Sequence, residues 1–442
     1  MKSCKYIPCF MNNILFKILT AGILSLVVVA VMWVPPLGNV EQGVPLKVFT
    51  NTLDARIPWL MKAYGIPGAN IALVKGGQVV WMGAYGYADL KTKKKMTVDA
   101  YLRVQSLSKP VTAWGVMKLA EQGKIDLDCP IDQYIKNWVF PPSSFSADRV
   151  TVRQLLSHCA GLPLGDIFNM YSPQEKMPSL QENLTKEAVL ISEPGSRFSY
   201  SNTGYNLLEL LIQEVTGRDF AEYMEQEVLL PLGMEHASFK WSEQFWLRVP
   251  FGYDLSGRAI PIYVYPERGS GGLFAPIGDI AAFVAAGMPG SDQQVLSPRS
   301  VETLYTPAAK DLGLYRLVFD SYGLGYYLQD LSDGNRAVAH GGQGTGWMTH
   351  LHAVPETGDR VFMPRRKHWH PLRLLQGGLS TALMTGLLWC VNQKYLFISS
   401  VFPISAVWLG ISVFVFALFL LLSALFPSYD QRTWSPGRVH SI

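Results

Sequence analysis

The chain has 442 residues, of which 49% are hydrophobic and 16% are charged, and its formal net charge is +4. A chain of this length and composition can bury a large core and still contain apolar stretches for a membrane. The mild positive charge comes without a basic–aromatic pattern, so we expect no nucleic-acid partner.

The first predicted element is a membrane anchor. Residues 14–34 are mostly apolar and contain one charge, Lys17, and Lys2 and Lys5 precede them. A cleaved secretory signal has a similar pattern, but two prolines follow this run and no small-x-small cleavage site is evident. We therefore favour an uncleaved anchor in residues 1–40. Its lysines keep the N-terminus inside and place the middle of the chain on the extracytoplasmic side of the cell membrane.

The middle of the chain, residues 45–365, is predicted to be one globular unit. Residues 69–89 alternate around two adjacent glycines, a pattern typical of a β-hairpin. A helical region begins near Ser106, and strand-like patterns return within residues 321–354. Strands, a long helical middle and further strands predict an α/β fold whose sheet joins distant parts of the chain.

The C-terminal region is predicted to carry one or two transmembrane helices in residues 371–427, followed by a polar tail at 428–442. Residues 403–426 contain no charge, which indicates a spanning helix. Residues 374–391 are a weaker candidate, because glycines interrupt them, and they either span or lie against the globular domain. A basic cluster before them favours the cytoplasm, in conflict with the N-terminal lysines. We follow the N-terminal signal because the first hydrophobic segment usually dominates.

A serine–lysine pair marks the start of the helical region. Pro110 is tolerated only near a first turn, so the helix begins within a residue or two of Ser106. Residues three apart share a helix face, so Ser106 and Lys109 can point into one cleft. A lysine can take the proton of a serine only if burial or positive neighbours lower its pKa. Taken alone, the pair is better explained as a capping serine beside a surface lysine.

Two further motifs stand later in the chain. Residues 200–202, Tyr-Ser-Asn, lie just before a helix that starts near Thr203. Residues 340–342, His-Gly-Gly, end an apolar strand, and the two glycines allow a substrate backbone to approach closely. A phenol, an amide and an imidazole at such positions suit a catalytic cleft.

The three motifs, in this order, resemble the serine β-lactamase and penicillin-binding-protein superfamily, specifically its class C-like branch, over roughly residues 50–360. Residues 123–135, 155–163 and 269–283 also resemble signature stretches of that branch. The resemblance implies a β-lactamase/transpeptidase-like α/β fold, with an antiparallel sheet flanked by helices and a helical subdomain.

The resemblance also implies catalytic roles. Ser106 would attack a carbonyl and become acylated, and a neutral Lys109 would receive its proton. Tyr200 would relay protons to the leaving group and later activate water. His340 stands where many relatives have the lysine of K-T-G, so it would tune Tyr200 and position a substrate carboxylate or carbonyl.

Binding roles follow in the same way. Asn202 would hydrogen-bond the substrate amide, and Gly341 and Gly342 would let the substrate lie along the strand. The backbone N–H groups of Ser106 and Gln343 would form the oxyanion hole. No cofactor or metal is expected.

We therefore expect a membrane-anchored serine hydrolase that cleaves an amide or ester of a small peptide-like or β-lactam substrate. Within this class, a D-amino-acid peptidase or esterase ranks ahead of a β-lactamase, because membrane tethering suits processing at the envelope. The alternative is a non-catalytic sensor or binding domain of the penicillin-binding type. The complete set of motif residues argues against it.

Other residues have simpler interpretations. The pairs His350/His352 and His368/His370 lack the companions of a zinc motif, so we do not expect a metal site. His158 is interpreted as a hydrogen-bonded structural histidine.

The five cysteines are few and odd in number, which argues against a disulfide framework. Cys129 and Cys159 are the one candidate pair in the globular part, and two free buried thiols are favoured.

One departure from the family pattern concerns the sheet. The strand that should follow residue 354 breaks after Met363, where Pro364 cannot donate a ladder hydrogen bond. The sheet is expected either to lose half of an edge strand or to pair irregularly there.

Overall fold

The computed structural model describes residues 44–167, 169–254, 256–331, 333–355 and 387–392. The apolar segments 14–34 and 403–426, most of 374–391, and His368 and His370 lie outside these residues. Within the described part of the chain, no helix combines the length and the apolar character that crossing a bilayer requires. Membrane anchoring therefore stays a prediction.

An eight-stranded sheet forms the centre of the described structure, and its neighbouring strands are antiparallel. In spatial order its strands are β3 (Lys94–Lys95), β2 (Gln78–Asp89), β1 (Gly68–Lys75), β12 (Leu387–Asn392), β11 (Trp347–Ala353), β10 (Arg336–Gly344), β9 (Tyr327–Asp330) and β8 (Ser321–Tyr322). Two short ladders join β4 (Leu102–Arg103) to β7 (Phe274–Ala275) and β5 (Gly252–Tyr253) to β6 (Ala259–Ile260).

Helices cover both faces of this sheet. They are α1 (Leu46–Tyr64), α2 (Ser108–Glu121), α3 (Val152–Leu156), α4 (Leu180–Glu187), α5 (Asn202–Thr216), α6 (Phe220–Met224), α7 (Ile277–Ala286) and α8 (Pro298–Leu304). α1 packs its apolar stripe, including Phe49 and Ile57, on Ile71 and Leu73 of β1. α2 to α7 and the opposite face of β1 form the larger core. The predicted α/β fold, with an antiparallel sheet flanked by helices, is confirmed.

The predicted N-terminal hairpin is confirmed as β1 and β2. Gly76 and Gly77 join the two strands with φ angles of 56° and 73°. Positive φ at both central residues is what a tight hairpin turn needs, and glycine adopts it without steric cost.

The strand next to β11 comes from far along the chain. The backbone of residues 387–392 pairs with β11 on one side and with β1 on the other. This central position in the sheet is therefore filled. Residues 356–373, which include the predicted break after Met363, lie outside the described residues, so both alternatives for that break stay predictions. Residues 374–391 were predicted either to span a membrane or to lie against the globular domain. Residues 387–391 lie against the domain. Periodicity cannot separate a short apolar run that forms a buried strand from one that forms a helix.

Candidate active site

Ser106 and Lys109 lie at the entrance of α2, as the position of Pro110 predicts. A 3-10 turn, Gln105–Leu107, runs directly into the helix. The Nζ atom of Lys109 lies 3.1 Å from Oγ of Ser106. Lys109 is fully buried, whereas Ser106 is partly exposed.

The surroundings of Lys109 favour a neutral amine. Burial lowers its pKa well below the usual value for a lysine. Nζ donates to Oδ1 of Asn202 at 2.7 Å and to the backbone oxygen of Ser270 at 2.8 Å. A neutral amine has two N–H bonds and one lone pair. In that neutral form the two oxygens take both N–H bonds, which leaves the lone pair for the hydroxyl of Ser106.

Tyr200 and Asn202 enter the same cleft from the start of α5. The ring centre of Tyr200 lies 5.0 Å from Nζ of Lys109, and its hydroxyl is close enough to interact with Ser106. Burial raises the pKa of Tyr200, so its hydroxyl stays protonated at neutral pH. The structure thus brings together the serine, lysine and tyrosine that the sequence placed in one site.

The loop before α5 is held by buried hydrogen bonds. Ser201 caps the helix by accepting the backbone N–H of Gly204, and it donates to the backbone oxygen of Pro163 at 2.6 Å. Nδ1 of His158 accepts the backbone N–H of Ser201 at 3.1 Å. The His158 ring also packs 4.3 Å from the ring of Tyr200. The structural interpretation of His158 is confirmed, and its role here is to position residues 200–202.

His340 lies behind the cleft and is fully buried. Its ring centre is 6.2 Å from that of Tyr200, and its Nδ1 lies 2.8 Å from the backbone oxygen of Gly341. Burial lowers the pKa of His340 to about 3, so the imidazole is neutral at pH 7. Its predicted influence on Tyr200 is sterically possible, but His340 offers no positive charge to a substrate carboxylate. Both roles assigned to His340 stay predictions.

Strand β10 lies directly against the chain that precedes Ser106. A Cβ atom at Gly342 would come closer than 3.0 Å to Oγ1 of Thr349 and to the backbone oxygen of Val104. Thr349 donates to that same oxygen at 2.7 Å. Only glycine permits this approach. The contact brings the backbone of Gln343, the predicted second oxyanion donor, to the side of the nucleophile.

We expect Gly342→Ala to lower the free energy of unfolding by about 3 kcal/mol, because the added methyl group overpacks the contact between β10 and residue 104. The measurement is chemical denaturation of the two proteins. Gly341→Ala is the matched control, since its Cβ would have ordinary contacts of 3.7 and 3.9 Å and the residue is exposed. Equal losses for the two variants would contradict the steric argument.

A sequence model of the family described as Beta-lactamase matches residues 53–385. The chain belongs to the beta-lactamase family. The curated relative "Protein flp" of Staphylococcus aureus (strain MRSA252) is 32% identical over 205 residues, which are 46% of this chain and 40% of that protein. The chain thus matches about two fifths of the relative's length.

Solved structures share the fold of this beta-lactamase family member. The octameric penicillin-binding protein homologue from Pyrococcus abyssi is 25% identical, with a TM-score of 0.63 over 80% of this chain and 77% of that chain. A D-stereospecific amidohydrolase from Streptomyces is 20% identical, with a TM-score of 0.57 over 77% of this chain and 93% of that chain. At that identity the second likeness shows the fold alone.

The Ser270 carbonyl is supported by Glu209, a residue outside the family motifs. Glu209 is fully buried and accepts the backbone N–H groups of Arg268 and Gly269 at 2.6 and 2.7 Å. Its carboxylate also pairs with the guanidinium of Arg268 at 2.9 Å, and that guanidinium pairs with Asp219. These contacts hold the segment that presents the Ser270 oxygen to Lys109. The sequence did not predict this role of Glu209, because a carboxylate that accepts hydrogen bonds from backbone N–H groups has no recognisable sequence motif.

We expect Glu267→Gln to remove a pH dependence of stability. Glu267 is buried against the Asn183 amide, and burial raises its pKa to about 7. The folded state therefore prefers the protonated acid, whose stabilising effect is full below pH 4.5 and is lost as pH rises through 7. The shift corresponds to about 3 kcal/mol. Denaturation at pH 5 and pH 8 measures it, and the exposed Glu302→Gln is the control. A wild-type slope retained in Glu267→Gln would disprove the assignment.

The remaining candidates are the histidine pairs and the cysteines, and His368 and His370 lie outside the described residues. The rings of His350 and His352 lie 5.9 Å apart. The described residues contain no group of three or more side chains suited to a metal ion. Cys129 and Cys159 are free thiols, as predicted, although both are half-buried rather than buried.

Proposed function

We propose that the chain is a serine hydrolase that cleaves an amide or ester of a peptide-like substrate through an acyl-enzyme at Ser106. The observation that carries the proposal is the environment of Lys109. Its amine lies 3.1 Å from the serine hydroxyl, and its other two partners are both carbonyl oxygens. A lysine that is buried and neutral in this geometry is suited to accept the serine proton.

In the proposed acylation step, the proton of Ser106 moves to Nζ of Lys109 while Oγ bonds to the substrate carbonyl carbon. The negative charge on the carbonyl oxygen is stabilised by the backbone N–H groups of Ser106 and Gln343. The proton then passes through the hydroxyl of Tyr200 to the leaving amine or alcohol, and the C–N or C–O bond breaks. Water, activated by the same groups, then hydrolyses the ester that joins the acyl group to Ser106, which releases the acid and restores the serine hydroxyl.

We further propose D-amino-acid amides or esters, ahead of β-lactams, as the substrate class. The name of the Streptomyces amidohydrolase supports D-stereospecific amides as compounds to test. The membrane segments predicted at 14–34 and 403–426 would place such an enzyme at the extracytoplasmic face of the cell membrane. This location and the lipid contacts of those segments are part of the proposal.

Covalent labelling followed by a substrate panel tests this function. The full chain is treated with a fluorophosphonate and with a fluorescent penicillin, and then assayed with D- and L-amino-acid amides, matched esters and a chromogenic cephalosporin. Labelling together with turnover of a D-amide or D-ester is the expected result. Labelling without turnover would instead identify a sensor or binding domain. Preferential turnover of the cephalosporin would overturn the proposed substrate order.

A further inference from the structure

Gln105, the residue before the nucleophile, has an unusual backbone conformation. Its φ angle is 53°, and only 2% of the residue is exposed. Residues other than glycine rarely adopt this left-handed conformation, because the Cβ atom makes it unfavourable. Contacts with the surrounding residues must therefore hold Gln105 in it. This angle sets the direction of the backbone from Gln105 into Ser106.

The side-chain amide of Gln105 is bound at both ends by tyrosine hydroxyls. Its Nε2 donates to Oη of Tyr263 at 3.1 Å, and its Oε1 accepts from Oη of Tyr265 at 3.0 Å. Tyr263 in turn donates to the backbone oxygen of Thr345, just after β10, at 3.0 Å. A primary amide has both a donor and an acceptor, and this arrangement uses both.

The backbone of Gln105 is fixed as well. Its carbonyl oxygen accepts from Oγ of Ser108 at 2.7 Å, and that hydroxyl accepts the backbone N–H of Leu273 at 3.0 Å. On the other side, β10 passes so closely that a Cβ at Gly344 would lie 2.5 Å from Cδ of Gln105. Gln105 therefore touches the start of α2, the segment before β7 and the end of β10 at once.

We infer that Gln105 is a positioning residue for the reaction. Its amide, held between Tyr263 and Tyr265, sets the placement of Ser106 relative to β10, which carries the oxyanion donor Gln343. The inference rests on the proposed function, because acylation of Ser106 is the step that this placement serves. Gln105 itself touches neither the reacting atoms nor a cofactor.

Gln105→Met tests the role of the amide, because methionine keeps the length and the apolar packing but offers no such hydrogen bonds. We expect the rate constant for phosphonylation of Ser106 by the fluorophosphonate, with loss of fluoride, to fall on the order of 10²-fold, as for a misplaced nucleophile. The fraction of molecules labelled at completion stays at the wild-type level. Gln293→Met is the control, because the amide of the part-buried Gln293 also both donates and accepts, to the 295–296 backbone near the other end of α2. The rate constant for labelling of this control should match that of wild type.

Two further variants separate positioning from folding. In Gln105→Gly the positive φ angle no longer costs energy, but the side-chain amide is still absent. Labelling of this variant should therefore stay slow even if its thermal stability is higher than that of Gln105→Met. Tyr265→Phe should slow acylation less, and the double variant Gln105→Met/Tyr265→Phe should be no slower than Gln105→Met alone, because the two act through one contact. Additive losses, or a wild-type rate constant in Gln105→Met, would overturn the inference.

Hydrogen exchange distinguishes failure of this inference from failure of the proposed function. If wild type is not labelled at all, the proposed function fails. The inference is then tested by the rate of amide hydrogen exchange in peptides covering residues 104–108 and 340–346. Faster exchange there in Gln105→Met, but not in Gln293→Met, would support the positioning role by itself. Unchanged exchange would refute it.

Discussion

Replacing Ser106 by alanine is expected to abolish covalent labelling and to reduce kcat on the order of 10⁴-fold or more. The reason is that the acyl-enzyme cannot form without Oγ, whereas Lys109, Tyr200 and the fold around them remain. The side chain is partly exposed, so its loss should leave the free energy of unfolding nearly unchanged. Fluorophosphonate labelling, steady-state hydrolysis and thermal denaturation measure the three quantities.

Ser108 provides the control for this prediction, because it is a second serine two residues away. It is fully buried, and its hydroxyl bonds the backbone of Gln105 and Leu273. Ser108→Ala should lose about 1 kcal/mol of stability and keep its label. Mass spectrometry of the labelled peptide should place the adduct on Ser106. An adduct on Ser108, or hydrolysis that survives in Ser106→Ala, would refute the assignment.

Local sequence features predicted much of the site. Pro110 fixed where the helix after Ser106 could begin, and the structure has α2 starting at Ser108. The motifs at 200–202 and 340–342 were predicted to converge with Ser106 because the resemblance supplied their long-range order. The hairpin was predictable from Gly76 and Gly77, since only a tight turn explains two adjacent glycines between alternating strands.

Other parts of the site depend on contacts that sequence patterns do not record. The oxygen of Ser270 that binds Lys109 belongs to the backbone, which every residue carries. Gln105 has a left-handed backbone, and its side chain binds Tyr263 and Tyr265, about 160 residues away in the chain. The strand at 387–392 was ambiguous because an apolar run of this length is compatible with a strand or part of a helix.

Lys109 is the second residue whose replacement should have a large effect. Lys109→Met is expected to slow acylation on the order of 10³-fold or more, because the proposed mechanism assigns the serine proton to Lys109. Lys109→Arg should be as slow, since a guanidinium is always protonated. Lys118→Met is the control, because Lys118 lies on the same helix and also donates to a backbone oxygen. Its acylation rate constant should match that of wild type.

The pH dependence of stability separates a neutral buried lysine from a charged one. If the pKa of Lys109 is lower in the folded state than its usual 10.4, the unfolded chain binds the extra proton between the two values. Stability conferred at this site then rises with pH across that window, and the rise should vanish in Lys109→Met. Burial raises the pKa of Tyr200, so we expect its hydroxyl to stay protonated and not to replace Lys109 as the base. Rapid acylation by Lys109→Met would therefore mean that Tyr200 ionises in the complex, and the roles of the two residues would be reversed.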